Sequence, residues 1–322
     1  MRIAFVGKGG SGKTTLASLM VAHLVDGGSD VLAIDADINQ HLAAALGLDD
    51  AAGALPALGD HLPLIKQWLR GDNPRFTAEE MIKSTPPGAG SRLLTVTEDN
   101  PITAACLRDV AGARLAVTGP FHSDDVGVAC YHGKVGAADL ILSHLVDRPG
   151  EYVVVDSTAG ADPAASGLFA RFDLVAVVLE PTLRSLSVWH QLDGHAAGAD
   201  GLGANLVAVG NKVTDEDDVE FLRSQVGDRL VATLSHSGHV RASERGDARP
   251  IADLEAANRL ALDALRQRLD ATDRDWAELH RRSVHLHRRN AAKWANDTTG
   301  TDLTTQIDPT FTPAPTQSPS VL

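Results

Sequence analysis

A few residues into the chain, an apolar run opens into a loop that can fold in very few ways. Arg2-Ile3-Ala4-Phe5-Val6 leads straight into Gly7-Lys8-Gly9-Gly10-Ser11-Gly12-Lys13-Thr14-Thr15, and an apolar helical pattern over Lys13–Asp26 follows. This is G-x-x-x-x-G-K-[ST], set between a strand and a helix as a phosphate-binding loop requires. Gly7, Gly9, Gly10 and Gly12 let the backbone curl so that successive N–H groups, those of Ser11 and Thr15 included, turn inward on phosphate oxygens. The helix N-terminus adds its partial positive charge. In such a loop Lys13 reaches the β- and γ-phosphates and the Thr14 hydroxyl ligates magnesium. A glycine-rich turn that binds nothing would need neither the strand, nor the full motif, nor the helix in register with it.

The rest of the chain repeats the strand–helix alternation. Apolar runs at Ile3–Val6, Val31–Asp35, Leu93–Val96, Arg114–Thr118, Tyr152–Asp156, Leu174–Leu179, Leu206–Gly210 and Leu230–Leu234 predict strands. Several are apolar nearly throughout, as strands covered on both faces are. Helical patterns over Lys13–Asp26, Val135–Val146, Leu183–Leu192, Asp217–Ser224 and Ile251–Leu269 lie between or after them. The expected fold class is α/β, a doubly wound, mainly parallel sheet with helices on both faces and its ligand at the carboxyl ends of the strands. With 43% hydrophobic residues but only 4% aromatics, the core must be built from Ala, Val, Leu and Ile.

Three stretches depart from the alternation. Residues 50–90 carry Pro56, Pro63, Pro74, Pro86 and Pro87 and read as a partly mobile helical insertion, either a lid, a partner surface or a plain surface excursion. Residues 271–296 form a locally basic helix with Arg281, Arg282, Arg288, Arg289 and Lys293. Residues 297–322 are Thr/Pro/Ser-rich without periodicity and read as a disordered tail. The organisation expected is thus a 1–270 domain, a basic helix and a tail.

A net charge of −13 excludes a protein that coats nucleic acid through general basicity. Two cysteines, Cys106 and Cys130, make no disulfide framework. No uncharged apolar run approaches the ~20 residues that cross a bilayer. Together these predict a cytoplasmic chain.

Two further acidic positions belong with the loop. Asp35-Ala36-Asp37 ends the second predicted strand, and the Tyr152–Val155 strand delivers Asp156 ahead of Ser157-Thr158-Ala159-Gly160. An aspartate at a strand end beside the phosphate loop suits a magnesium site, and the small residues after it suit a γ-phosphate sensor. Strand-end aspartates also cap turns and helices.

Lys8, directly after the first glycine, gives the loop the form of the deviant Walker A ATPases, and the chain resembles that superfamily (ParA, MinD, ArsA and the nitrogenase iron protein). The resemblance implies an ATP-binding, slowly hydrolysing switch that is a homodimer in its ATP state, with Lys8 crossing to the partner's nucleotide. It implies that Asp37 positions the attacking water. It also implies that Asn211, in Val209-Gly210-Asn211-Lys212-Val213, reads the adenine edge, although an Asn after a strand is also an ordinary turn residue. Val153–Asp156, Leu179-Glu180-Pro181-Thr182-Leu183-Arg184-Ser185 and Val209–Val213 make the chain most similar to the CooC-like accessory proteins of carbon monoxide dehydrogenase. Gly238–Gly246 is similar to the late helix of MinD-type proteins.

In the CooC-like proteins a Cys-x-Cys pair precedes the second acidic strand, and a dimer joins two pairs around one metal ion. This chain has Cys130-Tyr131-His132 there. Two copies would offer Cys2His2, a tetrahedral set acceptable to Zn2+ and open to Ni2+. The plain alternative is a small buried Cys130 and a turn His132. Cys106 reads as core within a helical Ile102–Val110 run. Three roles follow: an accessory ATPase for a metalloenzyme client, a ParA/MinD-like positioning ATPase that touches membrane or DNA through the 273–294 helix, or a regulatory ATPase that recruits a protein partner.

Overall fold

The structure, a computed structural model, describes residues 1–48, 55–120, 131–160, 167–196 and 205–314, with the backbone alone at 131–133 and 196. Its centre is a sheet of strands β1 (Arg2–Gly7), β2 (Asp30–Ala36), β3 (Arg108–Val110), β4 (Ala113–Val117), β5 (Glu151–Ser157), β6 (Leu174–Leu179), β7 (Leu206–Val213) and β8 (Leu230–Ser235). Their order is β3-β4-β2-β5-β1-β6-β7-β8. All neighbours pair in parallel except β3 with β4. The expected mainly parallel α/β sheet is therefore present.

The near-continuous apolar strands have cores on both sides. One face carries Ile3, Phe5, Ala33, Val154 and Val178 against the Lys13–Asp26 and Ala256–Asp270 helices. The other carries Ala4, Val6, Ile34, Val155 and Val177 against the Tyr131–His144, Leu183–Ala196 and Glu216–Val226 helices. Alternate residues of each strand point to opposite faces, so a strand covered twice has to be apolar at every position. Among the described residues, no helix is long and apolar enough to cross a membrane.

The fold departs from the sequence expectations in five places. Leu93–Val96 is no strand of the sheet: Leu94 makes one parallel bridge to Leu145, while Leu94 and Val96 bury themselves in the core. The Ile102–Val110 run is helical only over Pro101–Cys106; it then turns into β3, joined to β4 through Ala111 and Gly112, both at positive φ, which suits a tight hairpin. The long Ile251–Leu269 helix splits into a 3-10 turn at Ile251–Asp253 and a helix from Ala256.

The insertion, described from residue 55 onward, is no surface excursion. Leu58, Ile65, Leu69, Phe76 and Met81 enter the same core as the sheet. The stretch read as a disordered tail is structured as far as it is described. Asn296–Thr299 and Leu303–Gln306 form short helical turns, and Leu303, Gln306, Ile307 and Asp308 are buried. Asp308 accepts the Ala89 N–H at 3.0 Å, and Gln306 bonds Thr85 and the Glu80 carbonyl at 2.8 and 2.9 Å. Tail and insertion therefore satisfy each other's buried polar groups.

The basic helix, Trp276–Asn290, is docked beneath the amino ends of the strands. Arg274 pairs with both Asp147 and Asp173, and Arg2 pairs with Asp147 at 2.7 Å. Both guanidiniums stack on Trp276, 5.0 and 5.6 Å from the ring centroid. Arg171, bound to Asp139 at 2.7 Å, also reaches Ser283 of the helix. Leu279 is buried and Leu286 lies against Gly167. The apolar side of this helix is thus used within the chain. Arg281, His285, Arg288 and Arg289 are among its exposed residues, followed by Lys293 and Trp294 in the next turn.

Candidate nucleotide site

β1 lies between β5 and β6, and the loop at its carboxyl end meets three neighbouring strand ends. Gly7 stands at φ 150, Gly10 at φ 83 and Gly12 at φ 96. A Cβ on Gly7 would sit 2.6 Å from the Val178 carbonyl oxygen, and one on Gly12 would collide with the Asn211 amide. These glycines are required by backbone conformation and by close approach. Gly160 closes the loop from the far side, its N–H donating to the Gly7 carbonyl at 2.9 Å. The Ser157-Thr158-Ala159-Gly160 segment therefore borders the phosphate loop, as a γ-phosphate sensor must.

Sheet register brings the acidic residues together. Asp35 and Asp156 are paired positions on β2 and β5, and Asp156 is paired with Phe5 of β1. The Thr14 hydroxyl donates to Asp156 Oδ2 at 2.5 Å. Asp156 Oδ1 is buried without a partner, as are the hydroxyls of Ser11 and Ser157. Burial pushes the Asp156 carboxyl up to about 7 against the Thr14 bond, with Asp35 adding like-charge repulsion. A buried carboxylate with an open oxygen beside a threonine hydroxyl is a donor set for a hard cation, and magnesium prefers such oxygens. Thr14 and Asp156 thus fit Mg2+. Lys13 is buried nearby, and its charge lowers the Asp156 pKa.

Asp37, buried at the start of the loop after β2, accepts both Asn39 N–H groups, at 2.9 and 3.0 Å. Asp35, two residues earlier on β2, supports this loop. Its fully buried carboxylate accepts the N–H of Asp37 at 3.0 Å and of Leu42 at 2.9 Å, which fixes the loop carrying Asp37. Desolvation raises the Asp35 carboxyl to about 7. Lys8 is half-buried at the mouth of the loop, its carbonyl accepting the Ser11 N–H at 3.1 Å.

Beside the loop, a cavity of about 140 Å3 runs between Gly12, Leu16, Asn211, Leu234, Ser237 and Val240. Its apolar walls and polar rim suit a planar base with hydrogen-bonding edges. The Ser235–Gly238 rim is held from behind: Glu255 accepts from Ser237 Oγ at 2.7 Å and Gly238 N–H at 2.8 Å, and Asn258 accepts the Ser235 N–H at 2.9 Å. The expected base reader, Asn211, lines this cavity while its Nδ2 donates to the Ser11 carbonyl at 2.7 Å.

Cys130 lies outside the described residues. His132 is in the Tyr131–His144 helix, but its side chain is not described. Among the described residues no group of three or more His, Cys, Asp or Glu is placed to hold a metal ion. Cys106 is buried, and burial raises its thiol to about 11, consistent with a core role.

Residues 3–247 match the family model of the CobQ/CobB/MinD/ParA nucleotide binding domain. The carbon monoxide dehydrogenase accessory protein CooC of Rhodospirillum rubrum is 32% identical over 248 residues, 76% of this chain and 87% of that protein. An uncharacterised ATP-binding protein of Methanocaldococcus jannaschii is 25% identical over 74% of this chain and 90% of its own length. Among solved structures, the MinD cell division protein of Aquifex aeolicus is similar with a TM-score of 0.51 at 19% identity, over 85% of this chain and 98% of that one. A ParA family ATPase from Chlorobium tepidum TLS is similar with a TM-score of 0.53 at 15% identity, over 88% and 97%.

Proposed function

The chain belongs to the CobQ/CobB/MinD/ParA nucleotide-binding family, and from that premise we propose that it is an ATP-hydrolysing dimeric switch serving a metalloenzyme. The observation that carries the ATP reading is the buried cradle in which loop, Thr14 and the half-open Asp156 carboxylate converge. The loop N–H groups and Lys13 would receive the phosphates, and Thr14 and Asp156 would hold magnesium, which would supply charge neutralisation there. Asp37 aims its carboxylate at the attacking water. Asn211 and the Ser235–Gly238 rim receive adenine. Lys8 of a second copy completes the charge balance around the γ-phosphate. Turnover is slow because an aspartate that positions water is a weak base.

The similarity to CooC over most of both chains supports the accessory role. In this reading the client's metal is cargo, carried by Cys130 and His132 of two copies. The Arg288, Arg289, Lys293 and Trp294 surface supports a second reading, a ParA/MinD-like positioning ATPase on an anionic surface.

The test is nucleotide binding, phosphate release and oligomeric state for wild type, Lys13→Ala and Asp37→Ala, with metal content measured on the same samples. Lys13→Ala should lose binding or hydrolysis, and Asp37→Ala should accumulate as an ATP-bound dimer. Wild-type phosphate release from Asp37→Ala would remove Asp37 from the chemistry. About half an equivalent of metal per chain, lost in Cys130→Ala/His132→Ala, matches one shared tetrahedral ion; a metal-free dimer retires the cargo site and leaves the ATPase.

A further inference from the structure

The end of β7 does more than border the base cavity. The β7–β8 ladder slips between Gly210 and Val213, where three steps on β7 match two on β8. Such a bulge leaves one residue unpaired and re-aims side chains, often beside an active site. Gly210 permits it: a Cβ there would meet Leu222 at 2.8 Å and Thr233 at 3.0 Å. Lys212 stands within the bulge at φ 59, a left-handed conformation that a lysine adopts only under constraint. The two side chains within that distortion, Asn211 and Lys212, both turn to the phosphate loop. Asn211 Nδ2 donates to the Ser11 carbonyl, and Lys212 Nζ donates to the Gly10 carbonyl, each at 2.7 Å. Lys212 Nζ is held in turn by Glu180 Oε1 at 2.6 Å, from the residue that follows β6.

The geometry of the loop explains what these contacts accomplish. A loop whose N–H groups face inward on a ligand must direct carbonyls outward, where no helix or strand receives them. We propose that Lys212, seated by Glu180, is a positioning residue for the phosphate loop: it receives the outward Gly10 carbonyl and so keeps the neighbouring N–H groups aimed at the triphosphate. It reaches the loop from beside the base cavity, which it also lines, through a backbone carbonyl and not through a reacting atom. The left-handed backbone is the strain that the contact sustains. The proposal rests on the ATP reading above.

Left-handed backbone distinguishes this role from a merely structural one, because glycine adopts it freely. Lys212→Gly relieves the strain and removes the clamp together. In the full-length protein, the melting temperature of Lys212→Gly without nucleotide should equal or exceed that of wild type. Its affinity for a fluorescent ATP analogue with Mg2+ should fall about tenfold, the scale of one charge-assisted hydrogen bond. Glu180→Gln, which keeps the shape and removes the charge, should weaken binding in the same direction. Inorganic tripolyphosphate should lose affinity by the same factor, because the clamp acts on the loop and not on the base.

Binding by Lys212→Gly within twofold of wild type overturns the proposal. So does a loss that comes only with a lower melting temperature, or one confined to ATP and absent for tripolyphosphate. A wild-type protein that binds neither ligand, and matches Lys13→Ala, refutes the ATP reading instead.

Discussion

Asp156→Asn should stabilise the nucleotide-free protein while abolishing its response to MgATP. Asp156 is fully buried, one oxygen bonded to Thr14 and the other without a partner. Burial holds its pKa at about 7, above the ordinary 3.8. At about 1.4 kcal/mol per pH unit, keeping it ionised in the empty site costs roughly 4 kcal/mol. Asparagine has the same shape, retains an acceptor for Thr14 and carries no charge. Part of the gain is lost because the asparagine NH2 takes the buried place of Oδ1, which has no partner, so about 2–4 kcal/mol is expected above neutral pH. At about 1.5 °C per kcal/mol for a chain of this length, that is about 3–6 °C in Tm.

The sign follows from which state ionises first. Below the unfolded pKa of 3.8, both states carry a neutral carboxyl and the substitution has no effect. Between there and about 7, the unfolded aspartate loses its proton while the folded one keeps it, so wild-type stability falls as pH rises. The gap between variant and wild type should open across that window and level off above it. Thermal melts at pH 5, 6, 7 and 8, with and without MgATP, measure both effects. Wild type should rise in Tm with ligand by mass action, and Asp156→Asn should not. A variant less stable than wild type at pH 8 without ligand, or a gap equal at pH 5 and 8, would refute the view of Asp156 as a carboxylate held at a cost until a cation arrives.

Gly12→Ala should eliminate nucleotide binding in a folded protein, because φ 96 and the Asn211 amide leave no room for a methyl group; ATP binding within threefold of wild type would contradict the loop geometry. Arg274→Met should destabilise the chain by about 3 kcal/mol, as loss of one member of a buried ionic cluster does, since Asp147 and Asp173 each lose a partner. The cluster lies at the amino ends of the strands, so ATP affinity per folded molecule should not change, and a loss of affinity at unchanged Tm would show that the two ends are coupled.

What the sequence displayed, and what it concealed, divides along the range of the interactions. Lys13–Asp26 reads correctly as a helix to both ends, because its pattern and its flanking glycines are local. β1, β2, β5, β6 and β7 announce themselves by apolar runs that double burial demands. β3 escaped notice since Arg108-Asp109-Val110 is a short edge strand with two exposed residues, too little for any periodic signal. The tail escaped for a different reason. Its Thr- and Pro-rich composition lacks periodicity, yet Gln306 and Asp308 anchor it to groups more than 200 residues away.

The same division runs through the site. Loop, Thr14, Asp37 and Asp156 were legible because each follows an apolar strand in a recognisable frame, and the register of β1, β2 and β5 then sets them side by side. Asp35 was visible as a residue but not as a hydrogen-bond acceptor, since its partners are backbone groups of a loop with no pattern of its own. Lys212 is the instructive miss. The motif Val209-Gly210-Asn211-Lys212-Val213 suggests a role for Asn211 and none for the lysine beside it. A signal was present two positions before Lys212: a glycine closing an apolar run marks a bulge or a close backbone approach, and Gly210 does both. The direction in which such a bulge turns the next two side chains depends on β8 and on the phosphate loop, separated from Lys212 by about 20 and 200 residues in the chain. Local sequence can therefore mark the place where a strand is distorted, while the purpose of the distortion appears only when the loop it supports is set beside it.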